Sequence, residues 1–104
     1  MKQGEVYFQN QLAGTITEND DGYLFEYDNG YLESNSPSIS LTLPKSKAVH
    51  TSDILFPFFD GLIPEGWLLD IAVKNWKVNT RDRMELLLTC CEDTIGAVSV
   101  RRKL

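Results

Sequence analysis

Hydrophobic and polar positions alternate with a period of two through most of the first 43 residues. Val6 and Phe8 alternate with Glu5, Tyr7 and Gln9; a second run, Leu12 to Glu18, follows Asn10-Gln11; Tyr23 to Tyr27 then follow Asn19-Asp20-Asp21-Gly22. Successive strand side chains point to opposite faces, so the pattern predicts short strands that each bury one side. Gly22 accepts a positive φ and the Asn and Asp residues before it favour a turn, which predicts a hairpin there. A further strand is expected around Ile39, Leu41 and Leu43, with Ser38, Ser40 and Thr42 on its polar side and Pro44 at its end. Pro44 to Ser52 reads as a polar connection that carries the single histidine, His50.

The second half changes period. Ile54 to Leu62 is short and strongly apolar and predicts a helical turn or two opened by Pro57. Pro64 stands where a helix begins, because the first turn tolerates proline. Projected at 100° per residue, Leu68, Leu69, Ala72, Val73 and Trp76 fill one arc of about 140°, which marks a buried face. Trp67 and Ile71 fall on the opposite side, among Asp70 and Lys74. A third helix, about Asp82 to Glu92, sets Met84, Leu87, Leu88 and Cys91 at i, i+3, i+4 and i+7. After Gly96, Ala97 to Val100 reads as a last strand. The expected class is α+β: a small antiparallel sheet with two or three helices packed on one face.

A chain of 104 residues suits a single domain, 1–104, and 42% hydrophobic with 24% charged residues is enough apolar material for a core. No apolar run approaches the roughly 18 residues of a membrane helix, and the N-terminus passes into strand sequence rather than a leader, so a cytoplasmic location and no membrane partner are expected. The net charge of −5 opposes direct nucleic-acid binding, which rests on lysines and arginines against phosphates. Arg101-Arg102-Lys103, the only basic cluster, reads as a solvated tail. Cys90 and Cys91 are adjacent, a poor spacing for a disulfide or a metal pair, and both are expected reduced, with Cys91 packed as a small hydrophobe.

Several short motifs, in order along the chain, resemble the N-terminal subdomain of HipA-type serine/threonine kinase toxins. They are Gly14 in Leu-Ala-Gly-Thr-Ile; Phe25-Glu-Tyr-Asp28; Ser40-Leu-Thr-Leu-Pro44; Phe58-Phe-Asp-Gly-Leu-Ile-Pro-Glu-Gly66; Leu86-Leu-Leu88; and Gly96-Ala-Val-Ser-Val100. The fourth is similar to the family signature FFxNLLPEG, with Gly61 where an Asn is common and with Trp67 directly after Glu65-Gly66. The lysine strand, catalytic loop and metal-binding Asp of a kinase do not follow, so the chain is expected to be a detached piece of such an enzyme. In split operons of this family the subdomain is a separate HipS-like protein. It stands beside a shortened HipT-like kinase toxin and a HipB-like helix-turn-helix protein, and the resemblance implies the role of antitoxin in that trio. The alternatives are a structural subunit that completes a split kinase, or a binding module for an unrelated partner.

The residues themselves offer little chemistry. His50 lacks a Ser, Cys or acidic partner at a recognisable spacing and reads as a surface histidine. Asp60 and Glu65 suit a turn and a helix start better than an acid/base pair. Gly61 and Gly66 lack the spacing of a phosphate loop. No enzyme activity, cofactor or metal is expected. Trp67 is different: it projects away from the arc its helix buries, and tryptophan leads the residues found at interface hot spots. The expected partner-binding set is Asp60, Gly61, Ile63, Pro64, Glu65, Gly66, Trp67 and Ile71.

Overall fold

The computed structural model describes residues 2–63, 82–92 and 97–103. The elements run in the order β1 (Lys2–Phe8), β2 (Gln11–Asn19), β3 (Gly22–Tyr27), α1 (Asn29–Glu33), β4 (Val49–Ser52), α2 (Pro57–Asp60), α3 (Arg83–Cys90) and β5 (Val98–Arg102). The five strands form one antiparallel sheet in the order β4-β3-β2-β1-β5, so the class is α+β as the pattern predicts. The β2–β3 turn is where it was expected, with Gly22 at φ 135° and the Asp21 amide donating to Asn19 Oδ1 at 2.9 Å.

Register explains why helices gather on one side. Ile16 stands opposite Phe25, and Phe25 opposite His50; Val6 stands opposite Gly14 and Val100, and Gly14 opposite Tyr27. Directly opposed residues share a face, and every residue of this set is buried. The other face carries Glu5, Thr15, Glu26, Thr51 and Arg101 and is polar. Among the described residues, the apolar face is covered by α1, α2 and α3. Phe59 of α2 sits 5.5 Å from Phe25, Tyr31 of α1 stacks on Tyr27 at 5.9 Å, and α3 lies against β1 and β5 with Met84, Leu86, Leu87 and Leu88 buried. The expected i, i+3, i+4, i+7 face of α3 is therefore core, Cys91 included. Leu86 joins it, because this short helix is covered on more than one side.

Three expectations are corrected. Residues 39–43 form a loop, not a strand: Ile39 and Leu43 are buried while Leu41 is 99% exposed. The Tyr27 hydroxyl accepts from the Ile39 amide and donates to the Leu43 carbonyl, taking backbone groups that a ladder would need. Ser40 turns the chain locally, as its hydroxyl accepts from the Thr42 amide at 3.2 Å and its carbonyl from the Leu43 amide at 3.1 Å. The strand lies instead in the segment read as a polar connection, where Val49 and Thr51 face outward and His50 inward. His50 is buried, not a surface residue; its Nε2 bonds the Pro44 carbonyl at 3.1 Å and its ring meets the edge of Tyr27. Finally, Arg101 and Arg102 belong to β5, not to a solvated tail. Arg101 lies over the Tyr7 ring at 5.0 Å and Arg102 pairs with Glu85. The expected helix over 67–77, with Trp76 in its buried arc, lies outside the described residues.

Gly14 marks the tightest point of the sheet. A Cβ there would run into the Glu26 carbonyl oxygen and stand 3.0 Å from the Phe25 ring. Gly14→Ala is expected to cost about 1–3 kcal/mol of unfolding free energy, as overpacking against backbone does, measured as a lower denaturant midpoint with an unchanged slope.

Candidate functional site

The expected partner-binding segment begins at the C-terminal end of α2. Pro57 occupies the first turn of this short helix, where its missing amide costs nothing. Phe56 and Phe59 are buried and meet edge to face, and Phe58 packs against Phe59 at 5.2 Å. The helix is thus fixed by its aromatic residues, since four residues could not hold a helix by themselves. Successive amides wind the chain onward: Gly61 to the Pro57 carbonyl at 2.9 Å, Leu62 to Phe59 at 3.0 Å and Ile63 to Asp60 at 3.2 Å.

Two contacts from α3 and its C-terminal end clamp this winding from the other side. Arg83 Nε donates to Asp60 Oδ1 at 2.6 Å, and Cys91 Sγ donates to the Leu62 carbonyl at 3.4 Å. Burial, reinforced by the neighbouring Cys90, pushes the Cys91 thiol up to about 12, so it remains a protonated donor at neutral pH. Burial also raises Cys90. Neither is a reactive thiolate, and both are free.

Of the expected contact residues, Asp60 is therefore engaged by Arg83, Ile63 is buried at 2% exposure, and Gly61 is exposed. Gly61 has φ −68°, a backbone that other residues adopt, though a Cβ there would stand 3.3 Å from the Pro57 carbonyl oxygen, so an Asn would need a small local adjustment. Pro64, Glu65, Gly66, Trp67 and Ile71 lie outside the described residues. Asp60, Gly61 and Ile63 together form a pedestal at the end of α2, with Asp60 paired to Arg83 and Ile63 in the core.

A charged cluster holds α3 in place. Lys2 Nζ reaches Asp82 at 2.5 Å and Glu85 at 3.4 Å, and Arg102 pairs with Glu85. Asp82 also caps α3 by accepting from the Glu85 amide at 3.0 Å. Sequence reasoning missed this cluster, although an Asp three residues before a Glu at a helix start is a signal for such a cap. The Asp82 hydrogen bond is the main reason the Lys2 ammonium is raised above its ordinary value. Burial works to raise the Asp82 carboxyl, but Lys2 and the Glu85 amide outweigh it and leave it lowered. Glu85 is lowered chiefly by the Arg102 hydrogen bond.

Catalytic geometry does not assemble around these groups. His50 faces a carbonyl, and Asp60 is tied to a guanidinium. Among the described residues no three His, Cys, Asp or Glu side chains converge as metal ligands, and no helix is long and apolar enough to cross a membrane. A groove of about 630 Å³ at the β2–β3 turn is lined mostly by the acidic and polar residues Glu18, Asn19, Asp20, Asp21, Tyr23 and Asp53, with Lys2 and Gly22 completing it.

A one-sided five-stranded sheet with short helices over its apolar face, and a pedestal clamped by α3, defines a small α+β domain. The family model for the HipA N-terminal domain matches residues 4–101, and the chain belongs to that family. The fold is similar to a solved structure of the N-terminal domain of HipA toxin, with a TM-score of 0.77 over 100% of this chain and 94% of that one at 24% identity. An uncharacterised protein of Haemophilus influenzae is 29% identical over 103 residues, which cover 99% of this chain and 94% of that protein. Membership relates the chain to HipA-type toxin–antitoxin components.

The charged cluster makes stability depend on pH in a stated direction. Asp82 and Glu85 are lowered, so their contribution is complete above the unfolded carboxylate values of about 4 and fades as pH falls through the folded ones. Lys2 is raised, so its contribution is complete below about 10.4 and fades as pH rises through the folded value. The side chains are 28% to 39% exposed, so each pair is worth about 0.2–1 kcal/mol. Stability should be flat with respect to this cluster from about pH 5 to 9 and fall in acid. Arg102→Met should make the acid limb of the denaturation midpoint shallower. Parallel limbs for variant and parent would contradict the assignment.

Proposed function

We propose that this protein is an antitoxin of a split HipA-type system, which binds a HipT-like serine/threonine kinase toxin and suppresses it. The observation that carries the reading is one of size. The HipA N-terminal domain accounts for residues 4–101, and the Haemophilus influenzae relative, matched over 94% of its length, is itself only as large as that domain. A domain that in the toxins is joined to a kinase is thus encoded in a relative without one, and a non-catalytic piece acts by docking.

The docking element in this proposal is the segment that leaves the Asp60–Ile63 pedestal, with Trp67 as anchor, Ile71 beside it and Pro64, Glu65 and Gly66 forming the approach. Asp60, paired with Arg83, and Ile63, buried in the core, precede it in the chain and anchor its start. Trp67 enters the kinase near its ATP or substrate cleft and blocks it. A HipB-like helix-turn-helix protein completes the complex and supplies DNA binding, since a chain of net charge −5 lacks the cations for it.

Co-expression tests the sign of the interaction. Cells that make the cognate kinase should regain growth when this protein is made as well, without the DNA-binding partner. If growth inhibition deepens, or the kinase is toxic only in its presence, the protein is a completing subunit and not an antitoxin.

Trp67→Ala tests the anchor. Unfolding free energy should change by no more than about 0.5 kcal/mol, as at a surface site. Affinity for the kinase should drop by about 2 kcal/mol or more, roughly 30-fold. Phe59→Ala is the contrast, because that ring is fully buried and its loss should cost about 3–5 kcal/mol of stability. A Trp67→Ala protein that binds the kinase like the parent rules out the blocking loop.

A further inference from the structure

We propose that the loop of residues 34–47 is a second docking point for the same kinase. Leu41 would enter an apolar pocket edged with carboxylates on that kinase, and the inference rests on the antitoxin reading above.

The loop is locked on both sides of its tip. The Tyr27 hydroxyl bridges the Ile39 amide, at 3.1 Å, and the Leu43 carbonyl, and both Ile39 and Leu43 are buried. The Ser38 hydroxyl accepts from the Lys45 amide at 2.9 Å, and Lys45 Nζ donates to the carbonyls of Ser34 at 3.0 Å and Ser36 at 2.7 Å. The ammonium also lies 5.0 Å over the Tyr31 ring, and His50 holds the Pro44 carbonyl. Between these anchors Leu41 is 99% exposed. A scattered surface leucine needs no explanation. This one differs because its backbone is fixed in advance, so a partner that covers it orders almost nothing further.

Charge selects the chemistry of the pocket. Between Glu33 and Asp53 the sequence holds no acidic residue, while Lys45 and Lys47 stand a few positions beyond Leu41 in a chain of net charge −5. An apolar pocket with an acidic edge complements a leucine near the exposed Lys47, with the charge of the inward-tied Lys45 behind it. Two lysines are too few for a nucleic-acid groove.

Position and size select the occupant. Phe25 and Tyr27 meet at 4.9 Å on the apolar face; Tyr27 holds the loop, and Phe25 holds Phe59 of the pedestal. The loop and the pedestal are therefore neighbours over one face of the sheet. One leucine with two lysines offers far less than the roughly 800 Å² per partner of a stable interface. Such a contact adds to a larger one instead of founding its own, which points to the partner already seated on the pedestal segment.

Titration of the full-length protein against the purified kinase tests this, with Leu41→Asp, Leu41→Ala and Lys47→Glu beside the parent and Trp67→Ala. Leu41→Asp should weaken the complex about tenfold or more, mainly through faster dissociation, and Leu41→Ala by somewhat less. Lys47→Glu should weaken it several-fold at low salt and less at high salt. Thermal midpoints of all three should match the parent, since both positions are exposed. Unchanged affinity for Leu41→Asp, while Trp67→Ala binds weakly, overturns the second docking point and leaves the antitoxin reading intact. A parent that does not bind the kinase overturns both. A parent that self-associates, and becomes monomeric on Leu41→Asp with kinase affinity unchanged, assigns Leu41 to a second copy of this chain and overturns the proposal.

Discussion

Phe25 and Tyr27 stand two residues apart on β3, so both rings point to the same side of the sheet, 4.9 Å apart and edge to face. What lies over this half of the sheet is built on that pair. Phe59 of α2 leans on Phe25, Tyr31 of α1 stacks on Tyr27, His50 of β4 meets its edge, and its hydroxyl closes the loop between Ile39 and Leu43. A buried hydroxyl with both partners made is stabilising, whereas one partner lost leaves a polar group stranded at about 1–3 kcal/mol. The same residue thus fixes an apolar layer and an irregular loop above it.

The other half depends on α3. Its apolar side packs on β1 and β5, while Lys2, Asp82, Glu85 and Arg102 tie its first turn to both strands. The helix also reaches across to α2 and the turn after it from both of its ends, through Arg83 at the start and Cys91 just past the last turn. These exposed or half-exposed pairs are each weak, but they act on groups already positioned by the core. Their effect is placement more than stability. Asp60 and Leu62 are held between the aromatic layer and α3.

What could be read from the sequence divides along physical lines. The β1, β2 and β3 strands, the Asn19–Gly22 turn, the Pro57 helix and the buried side of α3 were legible, because each rests on local periodicity, a proline or a glycine. The strand expected at Ile39–Leu43 was not, because its alternating pattern is satisfied by a loop whose backbone partners come from Tyr27, distant in sequence. His50 was misread for a related reason: its polarity suggested surface, but a carbonyl at 3.1 Å satisfies it inside. Arg101 and Arg102 looked like a tail only because the ring of Tyr7 and the carboxylate of Glu85 are remote along the chain. As for the candidate site, its motif was visible in the sequence, but the roles within it were not. Only the fold shows Asp60 answering Arg83 and Ile63 turned inward.

In the proposed reading, pedestal and loop together form the face that holds the kinase, and the acidic turn at Glu18 to Tyr23 is not part of it. Hydrogen–deuterium exchange of the protein alone and in complex with the kinase tests that division most directly. The account predicts slower exchange in the complex over residues 38–47 and 60–71, with residues 18–23 unchanged. Protection concentrated at residues 18–23, or no change over 60–71, would contradict it.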